Sequence, residues 1–320
     1  MTTAAIRLER LGKRYGRLTA LNDVSLDVAP GEAFGFLGMN GAGKTTTIRI
    51  LLDLVRPTSG RAMVFGRDCQ TDGLEVRAQV GYLPGEPGFY GDMTGEATLD
   101  LLARLSATRV DPAWRTNLLD RLEFSAVDLR RRIREYSTGM KRKLGIVQAF
   151  QTDPPLLVLD EPTEGLDPLM QEAFYALLAD VRRRGRTVFM SSHVLPEVER
   201  VCDRIALLRG GELVVVSTVR ELRALAGRRV SISFSKDVPQ PAAWPPDCEA
   251  IEVTPRAWVL RARGALGPVV SQLAALPVAD LDVQIPHLEE LLRDYYADRG
   301  QPQRPERPQR SQTPQRPQGS

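Results

Sequence analysis

From its start to about residue 218 the chain alternates short apolar runs with helix-like segments. This is the pattern of an α/β domain built on a largely parallel sheet. EAFGFLG (32–38), LLVLD (156–160) and TVFMSS (187–192) read as buried strands. IALLRGGELVVVS (205–217) reads as two strands joined by Arg-Gly-Gly, a terminal hairpin. Between Thr94 and Arg134 the spacing turns helical, in TGEATLDLLARLSA and DPAWRTNLLDRLEF, and Asp111 before Pro112 marks a helix start. Beyond residue 219 the pattern predicts a small α+β unit. RRVSISFS and WVLRAR alternate like strands, DLDVQI is a third strand, and GPVVSQLAAL and PHLEELLRDYYADRG look helical. No internal repeat is present.

The last twenty residues, QPQRPERPQRSQTPQRPQGS, hold no large apolar side chain. Such a segment cannot bury enough surface to offset its ordering entropy, so a disordered, partly polyproline tail is expected over 300–320. Its bland role is to solubilise; its alternative is arginine contact with anionic lipid or RNA. Elsewhere the chain has a globular composition, 42% hydrophobic and 26% charged in 320 residues. No run of 18 apolar residues occurs, and MTTAAIRLER has no apolar signal core. Cys69, Cys202 and Cys248 are too scattered for a metal site and read as cytosolic thiols. A net charge of +3 points to no partner by itself.

The chemistry sits at strand ends. GMNGAGKTT (38–46) fits the phosphate-loop spacing G-x-x-x-x-G-K-[ST], after one predicted strand and before the helical run TTIRILLDLV. Backbone N–H groups of Gly38, Asn40, Gly41, Ala42, Gly43 and Thr46 are candidates to surround a phosphate. Lys44 would reach the terminal phosphates and the Thr45 hydroxyl would ligate Mg²⁺. PPLLVLDEPTEGLDP (154–168) brings Asp160 to the end of a strand as a direct or outer carboxylate for the metal. Glu161 follows it. Strand alternation would turn Glu161 away, but at a strand end it reaches an attacking water, as base or water-polarising group. His193 ends a third strand beside the same cleft and is expected to contact the γ-phosphate and orient that water. His287, the other histidine, is read as structural.

A second anion site stands apart. In YSTGMKRKLG (136–145), Ser137, Thr138 and Gly139 look like a helix start with free N–H groups. GTPases share the phosphate loop, but their base-specifying N-K-x-D is absent. The loop at 38–46, YSTGMKRKLG, LLVLDEPTEGLDP and SSH (191–193) come in that order and at suitable spacings. Together they resemble the ATP-binding subunit of an ABC transporter, over residues 1 to about 218.

The resemblance implies a fold: a P-loop ATPase domain over 1–219 with a helical subdomain at about 86–150, then an α+β accessory domain at 220–299. It implies ATP and Mg²⁺ as cofactors and a head-to-tail homodimer. In that dimer Ser137 and Gly139 of one copy cap the γ-phosphate held by Lys44 of the other. Tyr15 matches the aromatic that stacks on adenine, with core packing as its bland alternative, and Asp167 would communicate across the dimer. Two departures stand out. Gly85, followed by Glu86, replaces the family's metal-contacting Gln after VGYLP, so that Glu86 or a water takes its place. Met140 replaces the signature Gln. Both variants, and the C-terminal extension, resemble the branch serving drug, antibiotic and polysaccharide exporters.

That branch implies a motor on the inner face of the cell membrane, joined to a separately encoded permease and making no contact with cargo or nucleic acid. The permease-facing surface is expected around PGEPGFYGDM (84–93), unless Phe89 and Tyr90 pack inward. The alternative is a soluble ABC ATPase acting on ribosomes, DNA or Fe–S assembly. One set of motifs, no room for an inserted coiled coil, and the appendage weigh against it. A regulatory binder without hydrolysis is disfavoured by Glu161 with His193.

Overall fold

The computed structural model describes residues 3–106, 108–245 and 247–285. PHLEELLRDYYADRG, His287 and the tail lie outside the described residues.

The chain opens with β1 (Ile6–Tyr15), β2 (Leu18–Val28), β3 (Ala33–Leu37) and α1 (Lys44–Leu51). It continues through β4 (Ser59–Val64), β5 (Arg67–Asp68), α2 (Gly73–Arg77) and β6 (Val80–Leu83). Four helices follow: α3 (Gly95–Leu105), α4 (Pro112–Arg121), α5 (Ala126–Arg130) and α6 (Thr138–Phe150). Next come β7 (Leu156–Asp160), α7 (Pro168–Arg183), β8 (Thr187–Ser192), α8 (Leu195–Val201), β9 (Arg204–Arg209) and β10 (Glu212–Thr218). The C-terminal part contains α9 (Val219–Ala226), β11 (Arg228–Phe234), β12 (Cys248–Val253), β13 (Ala257–Ala262), α10 (Gly267–Leu273) and β14 (Val278–Gln284).

The central sheet has the order β10-β9-β3-β8-β7-β6 and is parallel except for β10. Every residue of β3, β7 and β8 is buried, which explains their unbroken apolar runs: both sheet faces are covered. One face packs on α6, α7 and α8 through Phe150, Phe174, Leu178 and Val198. The other packs Phe34, Phe36 and Phe189 against α1 and a second sheet. That second sheet, β2-β1-β4-β5, is antiparallel. It was not expected from the sequence pattern, which pointed to one largely parallel sheet.

The helices between β6 and β7 begin where capping chemistry places them. Thr94 accepts the Ala97 N–H at 3.2 Å to start α3, and Asp111 accepts the Ala113 N–H at 2.9 Å to start α4. Trp114 fixes α4 on α6 by donating its indole N–H to the Phe150 carbonyl at 2.9 Å. α6 lies so close to β6 that a Cβ on Gly81 would fall 2.1 Å from the Ala149 carbonyl oxygen. Any larger residue at 81 would push the helix off the sheet.

The C-terminal sheet, β12-β13-β11-β14, is antiparallel and has its own core of Val230, Ile232, Phe234, Trp258 and Leu260 under α10. Its strands coincide with RRVSISFS, WVLRAR and DLDVQI; β12 is additional. Among the described residues no helix is long and apolar enough to cross a membrane.

Candidate functional site

Parallel register puts the chemistry along one edge. Asp160 of β7 is level with Ser191 of β8, and Leu37 of β3 is level with Ser192. The C-terminal ends of β3, β7 and β8 therefore present Gly38, Asp160 and His193 side by side, where ligands sit in open α/β sheets. The Gly38 N–H donates to the Ser192 carbonyl at 3.3 Å, tying the loop to the histidine strand.

The 38–43 loop depends on its glycines. A Cβ on Gly38 would lie 2.6 Å from the Leu208 carbonyl oxygen. Gly43 has φ 112°, and its Cβ would lie 2.6 Å from the Ala20 carbonyl oxygen. Only glycine allows β2 and β9 to press on the loop while it turns its N–H groups inward toward α1. Asn40 is exposed, Ala42 is buried, and Thr45 and Thr46 are half-buried at the first turn of α1.

Lys44 is 5% exposed. Its Nζ donates to the Gly38 carbonyl at 2.6 Å and sits 3.1 Å from Glu161 Oε1. Glu161 is the hub. It has left β7 and takes φ 48°, a left-handed conformation that is uncommon for a non-glycine residue. Its N–H donates to the Ser191 carbonyl and Oγ, both at 3.2 Å. The turn reverses strand alternation, so the side chain joins the cleft. Oε2 takes the His193 ring nitrogen Nδ1 at 2.8 Å and the His193 N–H at 3.3 Å. An ionised carboxylate only accepts, so Nδ1 carries the proton. Oε1 is buried without a hydrogen-bond donor, and the Lys44 contact is a charge contact alone.

Asp160, 3% exposed, accepts the Ser191 hydroxyl at 2.5 Å. Burial, with the charge of Asp160 beside it, pushes the Tyr82 phenol up to about 12. Thr45 and Asp160 supply hard oxygen donors. Among the described residues no group of three or more His, Cys, Asp or Glu could hold a metal.

Ser137 caps α6, accepting the Met140 N–H at 3.2 Å, so YSTGMKRKLG does begin a helix. A Cβ on Gly139 would pack 3.6 Å from the Gly165 carbonyl oxygen. Asp167 caps α7 by accepting the Met170 N–H at 3.0 Å. Tyr15 ends β1 with 45% exposure and Lys13 Nζ 4.8 Å over its ring, so it is not a core residue. Phe89 packs against the helical core, whereas Tyr90 is 76% exposed. Glu86 is exposed.

Sequence reasoning missed Arg142. It is 2% exposed on α6. It donates to the carbonyls of Pro84 (2.8 Å), Gly85 (2.9 Å), Glu164 (3.0 Å) and Glu161. Burial pulls the pKa of its guanidinium down, against the opposing charges of Glu164, Asp160 and Glu161. The signal was present: Arg142 lies one turn before Ile146 and two before Phe150, a charge on the apolar face of the helix.

The family model described as ABC transporter matches residues 21–164. A bacitracin transport ATP-binding protein of Enterococcus faecalis is 37% identical over 222 residues, 68% of this chain and 70% of that protein. A Nod factor export ATP-binding protein of Paraburkholderia xenovorans is 36% identical over 67% of this chain and 71% of its own length. Matches to the curated relatives span 58% to 72% of their length. A solved ATP-binding subunit of an ABC transporter is 31% identical with a TM-score of 0.64, over 69% of this chain and 92% of that one. A dimeric bacterial ABC transporter cassette shares the fold at 23% identity and a TM-score of 0.62, over 67% of this chain and 99% of that one. The phosphate loop, the strand-end carboxylates and these relatives agree: the chain belongs to the ABC transporter family, among its ATP-binding subunits.

Proposed function

We propose that this chain is the ATP-hydrolysing motor of an exporter, working as a homodimer on the cytoplasmic face of a separate membrane-spanning permease. The observation that carries the chemistry is Glu161. Its Oε1 is buried, accepts no hydrogen bond and faces the Lys44 charge at 3.1 Å, while its Oε2 is held by His193 at the end of the phosphate loop. A carboxylate with Oε2 fixed and no hydrogen bond on Oε1 is set up to take a proton from an attacking water. His193 fixes Oε2, and the Lys44 charge balances the anions gathered there. Thr45 and Asp160 would hold Mg²⁺, which neutralises phosphate charge when bound. Tyr15 stacks on adenine from the exposed end of β1, and Asp167 acts across the dimer.

The chain divides in this reading into the ATPase domain at 1–219, the accessory domain at 220–299 and the tail. Ser137 and Gly139, at the start of α6, close in this reading on the partner's ATP. Export follows from relatives named for bacitracin transport and Nod factor export. The cargo touches no part of this subunit.

The test is to tag the Glu161→Gln chain in its native host, add ATP and Mg²⁺, and identify what co-purifies. A multi-span membrane protein in near-equal amount is expected. Ribosomal, DNA-bound or Fe–S assembly partners with a clean membrane fraction would refute the exporter reading. Tyr90, exposed beyond the Phe89 anchor, is placed to meet the permease. Tyr90→Ala is expected to lower transport at least about fivefold, since exposed aromatics at such contacts are often worth more than 1 kcal/mol. Basal ATP hydrolysis should be unchanged. Intact transport in vesicles carrying that variant would move the docking surface elsewhere.

A further inference from the structure

Arg142 is the largest buried charge outside the cluster that meets the nucleotide, and it has no carboxylate as a direct hydrogen-bond partner. Burying a guanidinium is costly, and a salt bridge is the common compensation. Here the compensation is four backbone carbonyls from three places. Pro84 and Gly85 follow β6, Glu161 follows β7, and Glu164 lies in the turn that leads to the Asp167 cap. The arginine stands on the second turn of α6, five residues after the Ser137 cap.

We propose that Arg142 is a positioning residue for the hydrolytic group, fastening the 84–85 loop, the start of α6 and the Glu161 backbone into one unit. The inference rests on reading Glu161 as the base. Three features of the geometry support it. Glu161 takes φ 48° without being glycine, so its peptide needs an outside hold. The Glu161 N–H is held by Ser191, and its carbonyl is held by Arg142. With both ends of the residue fixed, its carboxylate stays between Lys44 and His193. The guanidinium is planar with five donors, so it can serve diverging carbonyls at once; an ammonium has three donors on one atom and cannot supply all four carbonyls.

The fastening also gives the 84–93 surface a path to the chemistry. A push on Pro84–Gly85 moves carbonyls that share Arg142 with Glu161. The same push reaches the α6 N-terminus, where Ser137 and Gly139 stand.

The test compares wild-type, Arg142→Lys and Arg142→Gln full-length chains. ATP turnover gives kcat and KM, and a fluorescent ATP analogue gives affinity by titration. Both variants are expected to lose at least about tenfold in kcat, with KM and analogue affinity within about twofold of wild type, because Arg142 does not touch the phosphate loop. Lys should not rescue Gln, since charge without the fork is insufficient. A folded variant with wild-type kcat overturns the proposal. So does a parallel loss of kcat, affinity and thermal midpoint, or a chain that folds in neither variant, because each assigns Arg142 to stability alone. Glu161→Gln is assayed alongside. If it turns over normally, the base assignment fails by its own result, whatever the Arg142 variants do.

Discussion

Glu161→Gln is expected to hold ATP while turning it over about a hundred- to ten-thousandfold more slowly, the range for losing a positioned general base. The substitution is nearly isosteric. The amide oxygen still accepts from His193 Nδ1, which lies 2.8 Å from Oε2, so the local geometry should survive. What disappears is the carboxylate lone pair at Oε1, the buried oxygen with no hydrogen-bond donor. An amide nitrogen there cannot take a proton from water. Lys44 loses its counter-charge at Oε1 but keeps its bond to the Gly38 carbonyl and stays available to phosphate, so affinity should stay near that of the wild type. Steady-state hydrolysis and equilibrium nucleotide titration on the same preparation check both halves. Normal turnover would remove Glu161 from its role and leave His193 as the group to examine.

Lys44→Ala should fail differently, losing nucleotide binding as well as turnover. Lys44 is buried, and it is the cation that faces both the loop carbonyl of Gly38 and the Glu161 carboxylate. Without it, triphosphate would have to enter beside Glu161 and Asp160 uncompensated. Loss of one such charge-stabilising group commonly costs about a hundredfold to a thousandfold in kcat. The expected titration shows ATP affinity weakened at least about tenfold, since a charge-assisted contact contributes roughly 1.5 kcal/mol or more. Fold stability is a control: the substitution also leaves Glu161 Oε1 buried without its counter-charge. A folded variant with wild-type ATP affinity would contradict the role given to Lys44.

The parts of the fold that could be read from the sequence are those with one dominant physical cause. β3, β7 and β8 are buried on both faces, so they appear as uninterrupted apolar runs. α3, α4 and α6 start at Thr94, Asp111 and Ser137, whose side chains take the first free N–H groups. The antiparallel sheet was harder to see. β1 and β2 show one buried face, broken by register shifts between Leu8 and Arg14, and no clean period survives. β12, CEAIEV, carries exposed Glu249 and Glu252 on a sheet edge and resembles a loop.

The site shows the same division. The phosphate loop and Asp160 follow from spacing and strand position. Glu161 was placed in the cleft from its position at a strand end. What turns it there, a left-handed backbone held by Ser191 and Arg142, leaves no mark in residue type. Arg142 is hidden inside the basic run Lys141-Arg142-Lys143, which reads as a solvated face until helical spacing is laid over it.

If Ser137 and Gly139 cap the partner's ATP, the two anion sites of one chain serve two different nucleotides. The most direct measurement is the mass of the Glu161→Gln chain by light scattering, with and without ATP and Mg²⁺. One copy is expected without nucleotide and two copies with it, and a return to one copy when Ser137 is replaced by Arg to fill the second site. A chain that binds ATP yet keeps the mass of a single copy would contradict it.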